Sequence, residues 1–180
     1  MGAWAYRKGL HDLGNGVWAY LQPDGGWGWS NSGFIASGGE NLLVDTLFDL
    51  PLTAEMLRIL RASIPGADRI GAIINTHNNG DHTFGNQLVE GARIIATRSV
   101  AEGMEYESPD RLLQVLADPD ALGDGGRFMA EIFGRFDFTG IKLPPATDLF
   151  EGTLDLKVGD KDLRLVDVGP AHTASDLLVH

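Results

Sequence analysis

Two of the chain's five histidines fall in one short stretch, "INTHNNGDHTFGN", from Ile74 to Asn86. His77, Asn79, Asp81 and His82 crowd around Gly80. Imidazole nitrogen and carboxylate oxygen are the usual donors to zinc, manganese and non-haem iron. A loop that turns back on itself at Gly80 can aim several such side chains at one point. Asp81 and His82 are adjacent, so they cannot both hang from one face of a regular element. The start of a helix lets them splay toward neighbouring points, an arrangement suited to two metal ions a few ångströms apart. A second cluster, "DVGPAHTASD", holds His172. It follows the apolar "LRLVDV", turns at Gly169-Pro170, and can complete a site begun by the first. The bland alternative is a pair of polar loops whose histidines face solvent or pack in the core.

The elements that must carry these loops are readable from pattern. "RIGAIINT" is a short apolar run bounded by turn residues, a buried strand. The first cluster leaves its C-terminal end, where α/β folds place their chemistry. Upstream, "VWAYL", "SNSGFIAS" and "ENLLVDT" read as strands of a meander, with a turn at "QPDGGWGW". Pro51 suits the first turn of a helix, and Leu52, Met56, Ile59 and Leu60 follow at helical spacing until Pro65-Gly66. Downstream come a short helix in "TFGNQLVEG", the strand "ARIIAT", and a helix capped by Thr97 or Ser99 and reaching Glu107. The alternation predicts an α/β layer structure. From 108 to 143 the texture becomes helical, with helices at Pro109–Leu116 and Gly126–Phe133. This reads as an insertion in a single domain spanning 1–180, serving as a lid or as a surface excursion. "DLFEGTLDLKVGDKDLRLVDVG" then returns to strands. His11 lies in a polar stretch and is expected to be exposed.

The order of three motifs resembles the metallo-β-lactamase superfamily. "THNNGDH" is similar to that family's H-x-H-x-D-H, "GPAHTASD" to its later G-P-G-H-T-x-G-D, and "LLVDT" to its strand ending in an aspartate. The resemblance implies an αββα sandwich with a metal site on one edge of the sheets. It implies that His77 and His172 bind a first metal and that Asp81 and His82 bind a second. Asp45 becomes a carboxylate orienting a ligand from outside the metal's own shell, and Thr173 a supporting residue. The metal is zinc, one or two ions, with iron or manganese as alternatives. The reaction implied is attack of metal-activated water, with Asp81 as the catalytic carboxylate, on an ester, thioester, lactone or amide carbonyl.

Three departures stand out. Asn79 occupies the place of the family's middle histidine, and an amide oxygen is a poorer zinc ligand than imidazole. As a plain turn residue it would tolerate a left-handed backbone. The family's later bridging aspartate and last histidine have no counterpart, so the fold is expected to be incomplete at the C-terminus, with about 100 residues outstanding. Ala171 and Ser175 replace glycines, a mild change. Trp27 and Trp29 flank Gly28 at a hairpin tip. They are either a hydrophobic flap over the substrate, as such a hairpin is in the family, or packing at a sheet edge.

Composition bounds the rest. With 43% apolar and 22% charged residues the chain reads as globular. A net charge of −11 disfavours nucleic acid and anionic membranes as partners. The absence of cysteine excludes disulfides and thiolate sites. No membrane-length apolar run and no leader-like N-terminus are visible, so a cytoplasmic location is expected. The expected partner is a small neutral or apolar acyl substrate, with a homo-oligomer as a further expectation. The leading reading is a metallo-hydrolase. Its rivals are a binding module that has lost catalysis, favoured by Asn79, and an iron oxygenase or polyketide-cyclase-like member.

Overall fold

The computed structural model describes residues 6–180. The first five, part of the N-terminal stretch read above, lie outside the described residues. The chain opens with β1 (Gly9–Gly14), β2 (Val17–Leu21), β3 (Ser32–Ser37) and β4 (Glu40–Val44), an antiparallel meander. α1 (Leu50–Ser63) leads to β5 (Ala72–Ile74), then α2 (Gly80–Thr83), a 3-10 turn at Asn86–Leu88 and β6 (Arg93–Thr97). Three helices follow, α3 (Arg98–Tyr106), α4 (Pro109–Ala117) and α5 (Gly123–Phe133), before β7 (Asp148–Phe150). β1 to β7 form one sheet in sequence order, with β4 to β7 parallel. β8 (Thr153–Val158), β9 (Lys161–Asp167) and β10 (Leu177–Val179) form a second, antiparallel sheet in the order β10-β9-β8.

Residue alternation explains why these layers stack. Phe34, Leu43, Ile73 and Ile94 pack with Met56, Leu57 and Leu60 of α1. Their chain neighbours Ile35, Leu42, Ile74 and Ile95 pack instead with Leu163, Leu165 and Leu177 of the second sheet. The larger sheet is therefore buried on both faces, and its central strands read as continuous apolar runs. Each fully buried side chain of this kind contributes about 1.5–3 kcal/mol. The second sheet turns Asp155, Arg164 and Leu178 outward, and all three are exposed. α1 is started by Asp49, whose Oδ1 accepts the Leu52 N–H at 2.8 Å, with Pro51 in the first turn.

The helices α4 and α5 are not a detached excursion. Leu112, Leu113, Leu116 and Phe133 pack on an aromatic cluster of Phe48, Phe84, Phe136 and Phe138. Phe48 is its hub, stacked on Phe84 at 5.6 Å and edge-on to Phe133, Phe136 and Phe138 at 5.2, 4.9 and 4.9 Å.

Some boundaries differ from the sequence expectation. β1 was not expected, because its polar sequence and its irregular register between Asp12 and Gly14 hide the alternation. His11 lies in β1 opposite Ala19, half-buried, with Nε2 2.7 Å from the Arg7 carbonyl. The expected helix in "TFGNQLVEG" is two shorter pieces, and the first begins inside the histidine motif.

Candidate metal centre

The organising residue is Asp45, directly after β4. Val44 pairs with Ile74, and the Asp45 N–H donates to the Ile74 carbonyl at 2.8 Å, so Asp45 stands beside the mouth of the histidine loop. Its φ of 61° is uncommon outside glycine. That turn sends the carboxylate back over β5. There it is buried and accepts three hydrogen bonds, from the Thr76 N–H at 2.7 Å, the Thr76 hydroxyl at 2.6 Å and His82 Nδ1 at 2.9 Å.

These bonds fix two imidazoles. An ionised carboxylate only accepts, so His82 carries its proton on Nδ1 and presents Nε2, which lies 3.5 Å from Asp81 Oδ2. The Thr76 hydroxyl has one proton, directed at Asp45. Its oxygen therefore accepts from His77 Nδ1 at 3.0 Å, and His77 too presents Nε2. Asp81 and His82 share the single turn of α2, with Asp81 Oδ2 3.5 Å from His82 Nε2.

His172 arrives from the loop after β9. The Asp176 carboxylate accepts the N–H groups of Ala171 and Thr173 at 3.1 and 3.0 Å, folding the loop around His172. The Leu177 N–H donates to the Thr76 carbonyl at 2.8 Å and ties this loop to the first. The His77 and His172 rings end 5.1 Å apart, and those of His77 and His82 4.1 Å apart. Thr173 supports the loop itself, its hydroxyl donating to the Ser175 carbonyl at 2.8 Å. Asp176 was not singled out from sequence, although it closes the "GPAHTASD" motif.

Electrostatics follow the contacts. Burial lowers the His77 pKa, and the nearby His82 lowers it further. Burial also opposes charge on His82, but the Asp45 bond and the charges of Asp45 and Asp81 outweigh it and raise its pKa. Burial raises Glu107, only partly offset by hydrogen bonds from Asn79 and Asn78. Burial would raise Asp176 as well, but the Thr173 and Ala171 N–H groups overcome it and leave the carboxyl low.

Asn79 precedes α2 with φ −59° and ψ 144°, so it does not use the left-handed backbone anticipated for a turn residue. Its carbonyl accepts the His82 N–H at 2.9 Å and the Thr83 hydroxyl at 3.2 Å, while the neighbouring Asn78 side chain donates to Glu107 at 3.2 Å. Among the described residues, no group of three or more His, Asp or Glu side chains is arranged to hold a metal ion. The donors instead lie in a row, with His77 between His82 and His172 and Asp81 beside His82. Neutral imidazoles presenting Nε2 beside a carboxylate fit a divalent cation in chemistry, with further donors to come from outside that residue set.

Next to these donors lies a cavity of about 580 Å³, walled by Trp27, Trp29, Phe48 and Phe133 and reaching Asp81 and His172. The two tryptophans differ. Trp27 is 67% exposed and meets the Phe128 ring edge-on at 6.4 Å. Trp29 lies against Phe136 at 5.1 Å and is half-buried, so it packs as well as lines. A larger depression of about 870 Å³ sits at the opposite, N-terminal ends of β4 to β6, beside Arg69 and Arg93, away from every histidine named here.

Comparison with known proteins matches this layout. The sequence profile of the Metallo-beta-lactamase superfamily matches residues 25–180. The chain belongs to the metallo-β-lactamase superfamily. Solved structures agree in fold. A metallo-beta-lactamase from Pontibacter korlensis superposes with a TM-score of 0.66 at 15% identity, covering 97% of this chain and 66% of that one. One from Hirschia baltica gives 0.62 at 20% identity, covering 95% and 65%. A double mutant of the sec-alkyl sulfatase PisA1 gives 0.68 at 15% identity, covering 96% and 29%. The chain thus spans about two thirds or less of each relative's length. No curated protein sequence matches it. Identities this low establish the metallo-β-lactamase fold alone, an assignment that lactamase and sulfatase neighbours share. Members of that superfamily are generally metal-dependent hydrolases. No helix among the described residues is long and apolar enough to cross a membrane.

Proposed function

We propose that this chain carries the metal-binding site of a hydrolase acting on a small, neutral or apolar ester, thioester, lactone or amide, with zinc as the metal. The observation that supports this reading is the meeting of His77, His82 and His172, from two loops far apart in sequence, beside an aromatic-walled cavity. His77 and His172 would hold one ion and Asp81 and His82 a second. A bound divalent cation supplies Lewis acidity toward the carbonyl oxygen and lowers the pKa of water.

The chain's own residues supply the rest. Asp45 sets the tautomer of His82 directly and that of His77 through Thr76. Asp81, reaching the cavity, accepts a proton from the attacking water. Trp27, Trp29, Phe48 and Phe133 bind the acyl group and exclude solvent.

The test is hydrolysis of a panel of chromogenic aryl esters, thioesters, lactones and amides by the zinc-loaded chain. Activity lost in Asp81→Asn and absent after chelation supports the reading. The alternative of a binding module is favoured by Asn79 in place of a histidine. Its signature is stoichiometric binding of an aryl amide without turnover in any metal form. Iron rather than zinc in the purified chain would redirect the assignment to an oxygenase.

A further inference from the structure

Ser175 stands in the His172 loop where the motif it resembles has glycine, a residue with no side chain to bond. Here that side chain is buried, and its hydroxyl lies between two elements on either side of the loop. Ser175 Oγ is 3.0 Å from Asp167 Oδ1, at the end of β9, and 2.8 Å from Thr97 Oγ1, at the end of β6. Thr97 is buried as well, and its Oγ1 accepts the Val100 N–H at 3.0 Å, which starts α3.

The chemistry gives this row a direction. A carboxylate only accepts, so Ser175 gives its one proton to Asp167. The Ser175 oxygen then accepts from the Thr97 hydroxyl, whose own oxygen takes the Val100 N–H. Each hydroxyl donates once and accepts once, and the row crosses from the second sheet to the first. It crosses at the neck of the loop. There the Val168 N–H donates to the Asp176 carbonyl at 2.8 Å, and a Cβ at Gly169 would lie 2.5 Å from Ser175 Cα. From the neck inward, the Ser175 carbonyl accepts the Thr173 hydroxyl at 2.8 Å, and Asp176 holds the N–H groups of Ala171 and Thr173. His172 itself is exposed, so its place beside the His77 ring depends on how the loop is held.

We infer that Ser175 is a positioning residue for His172: its hydroxyl ties the neck of the loop to Thr97 on the larger sheet and so sets the imidazole opposite His77. The Leu177 N–H already ties the loop to Thr76, just beyond β5. Ser175 adds an anchor at the next strand, β6. Two anchors on neighbouring strands fix the orientation of a loop that could pivot about one. The inference deepens the proposed metal site, and its affinity measurements rest on that reading.

The metal-free chain is tested first. Nuclear Overhauser contacts between the ring protons of His77 and His172 should be present in wild type and lost in Ser175→Ala and Ser175→Gly. Thr97→Val, which removes the hydroxyl from the sheet side, should lose them too, and Thr97→Ser, which keeps it, should retain them. These two variants keep the test open should the Ser175 variants fold poorly. Zinc affinity and the cobalt(II) visible spectrum are then measured for wild type, Ser175→Ala, His172→Ala and the double variant. We expect Ser175→Ala to weaken binding about tenfold or more, to change the spectrum, and to add nothing once His172 is gone. Ring contacts unchanged in Ser175→Ala, or losses that add in the double variant, overturn the positioning role and leave the metal reading standing. Wild type that binds no metal overturns the metal reading, and the ring contacts then judge the positioning role alone.

Discussion

The Asp45 carboxylate lies 2.9 Å from His82 Nδ1, across 37 positions of sequence, and the same oxygen accepts the Thr76 hydroxyl that meets His77. One buried anion therefore sets the protonation pattern of two imidazoles. Asp45→Asn keeps the size and tolerates the left-handed backbone. It removes the charge and puts a donor where only acceptors served. We predict a loss of about 1–3 kcal/mol in urea unfolding and a drop in zinc affinity of about 10–100-fold. Asp45→Ala should cost more stability, because alanine is strained at a φ of 61°.

The two histidines should give metal-free stability a maximum against pH. His82 has a raised folded pKa, so its contribution is full below the ordinary value of 6.5 and is lost as pH rises through the raised value. His77 has a lowered folded pKa, so the folded state resists its protonation and stability falls as pH drops below 6.5 toward the lowered value. Urea unfolding of metal-free chain from pH 5 to 8 should show the dome. His82→Gln should flatten the alkaline limb, and His77→Gln the acid limb. An alkaline limb unaltered by His82→Gln contradicts the assignment.

The tryptophans should separate binding from packing. Trp27→Ala removes a largely exposed ring, so unfolding free energy should change by no more than about 0.5 kcal/mol while KM for aryl substrates rises. Trp29→Ala removes a ring seated on Phe136 and should cost about 2 kcal/mol or more. Parallel denaturation and kinetic measurements on the two variants check this.

Gly80 is required by packing, at the first position of α2. An added Cβ would sit 2.4 Å from Phe84 Cζ, and Phe84 is fully buried in the aromatic cluster. Gly80→Ala should destabilise by about 1–3 kcal/mol and shift Asp81 and His82 with it. Thermal melting together with zinc affinity reads both effects.

Much of this arrangement was legible in sequence because the signals were local or ordered. The apolar runs of β3 to β6, the proline start of α1 and the two histidine motifs each carry their own pattern. β1 was hidden because a polar strand with an irregular register shows no alternation. The backbone of Asn79 was left open by the sequence, and the start of helix α2 at Gly80 gives it φ −59° and ψ 144°. The Glu107 contact was out of reach, since nothing in the spacing of residues 78 and 107 says that the end of α3 returns to the loop. The Thr76 relay was equally invisible: a threonine beside a histidine is unremarkable until Asp45 is seen to take its proton.

The most direct test of the central claim is titration of metal-free chain with zinc and cobalt(II), read by calorimetry and visible absorption, in wild type, His77→Ala, His82→Ala and His172→Ala. The account predicts at least one equivalent bound by wild type, with each substitution weakening binding and His172→Ala altering the cobalt spectrum. Wild-type uptake that is indifferent to His172→Ala, or no uptake at all, would contradict it.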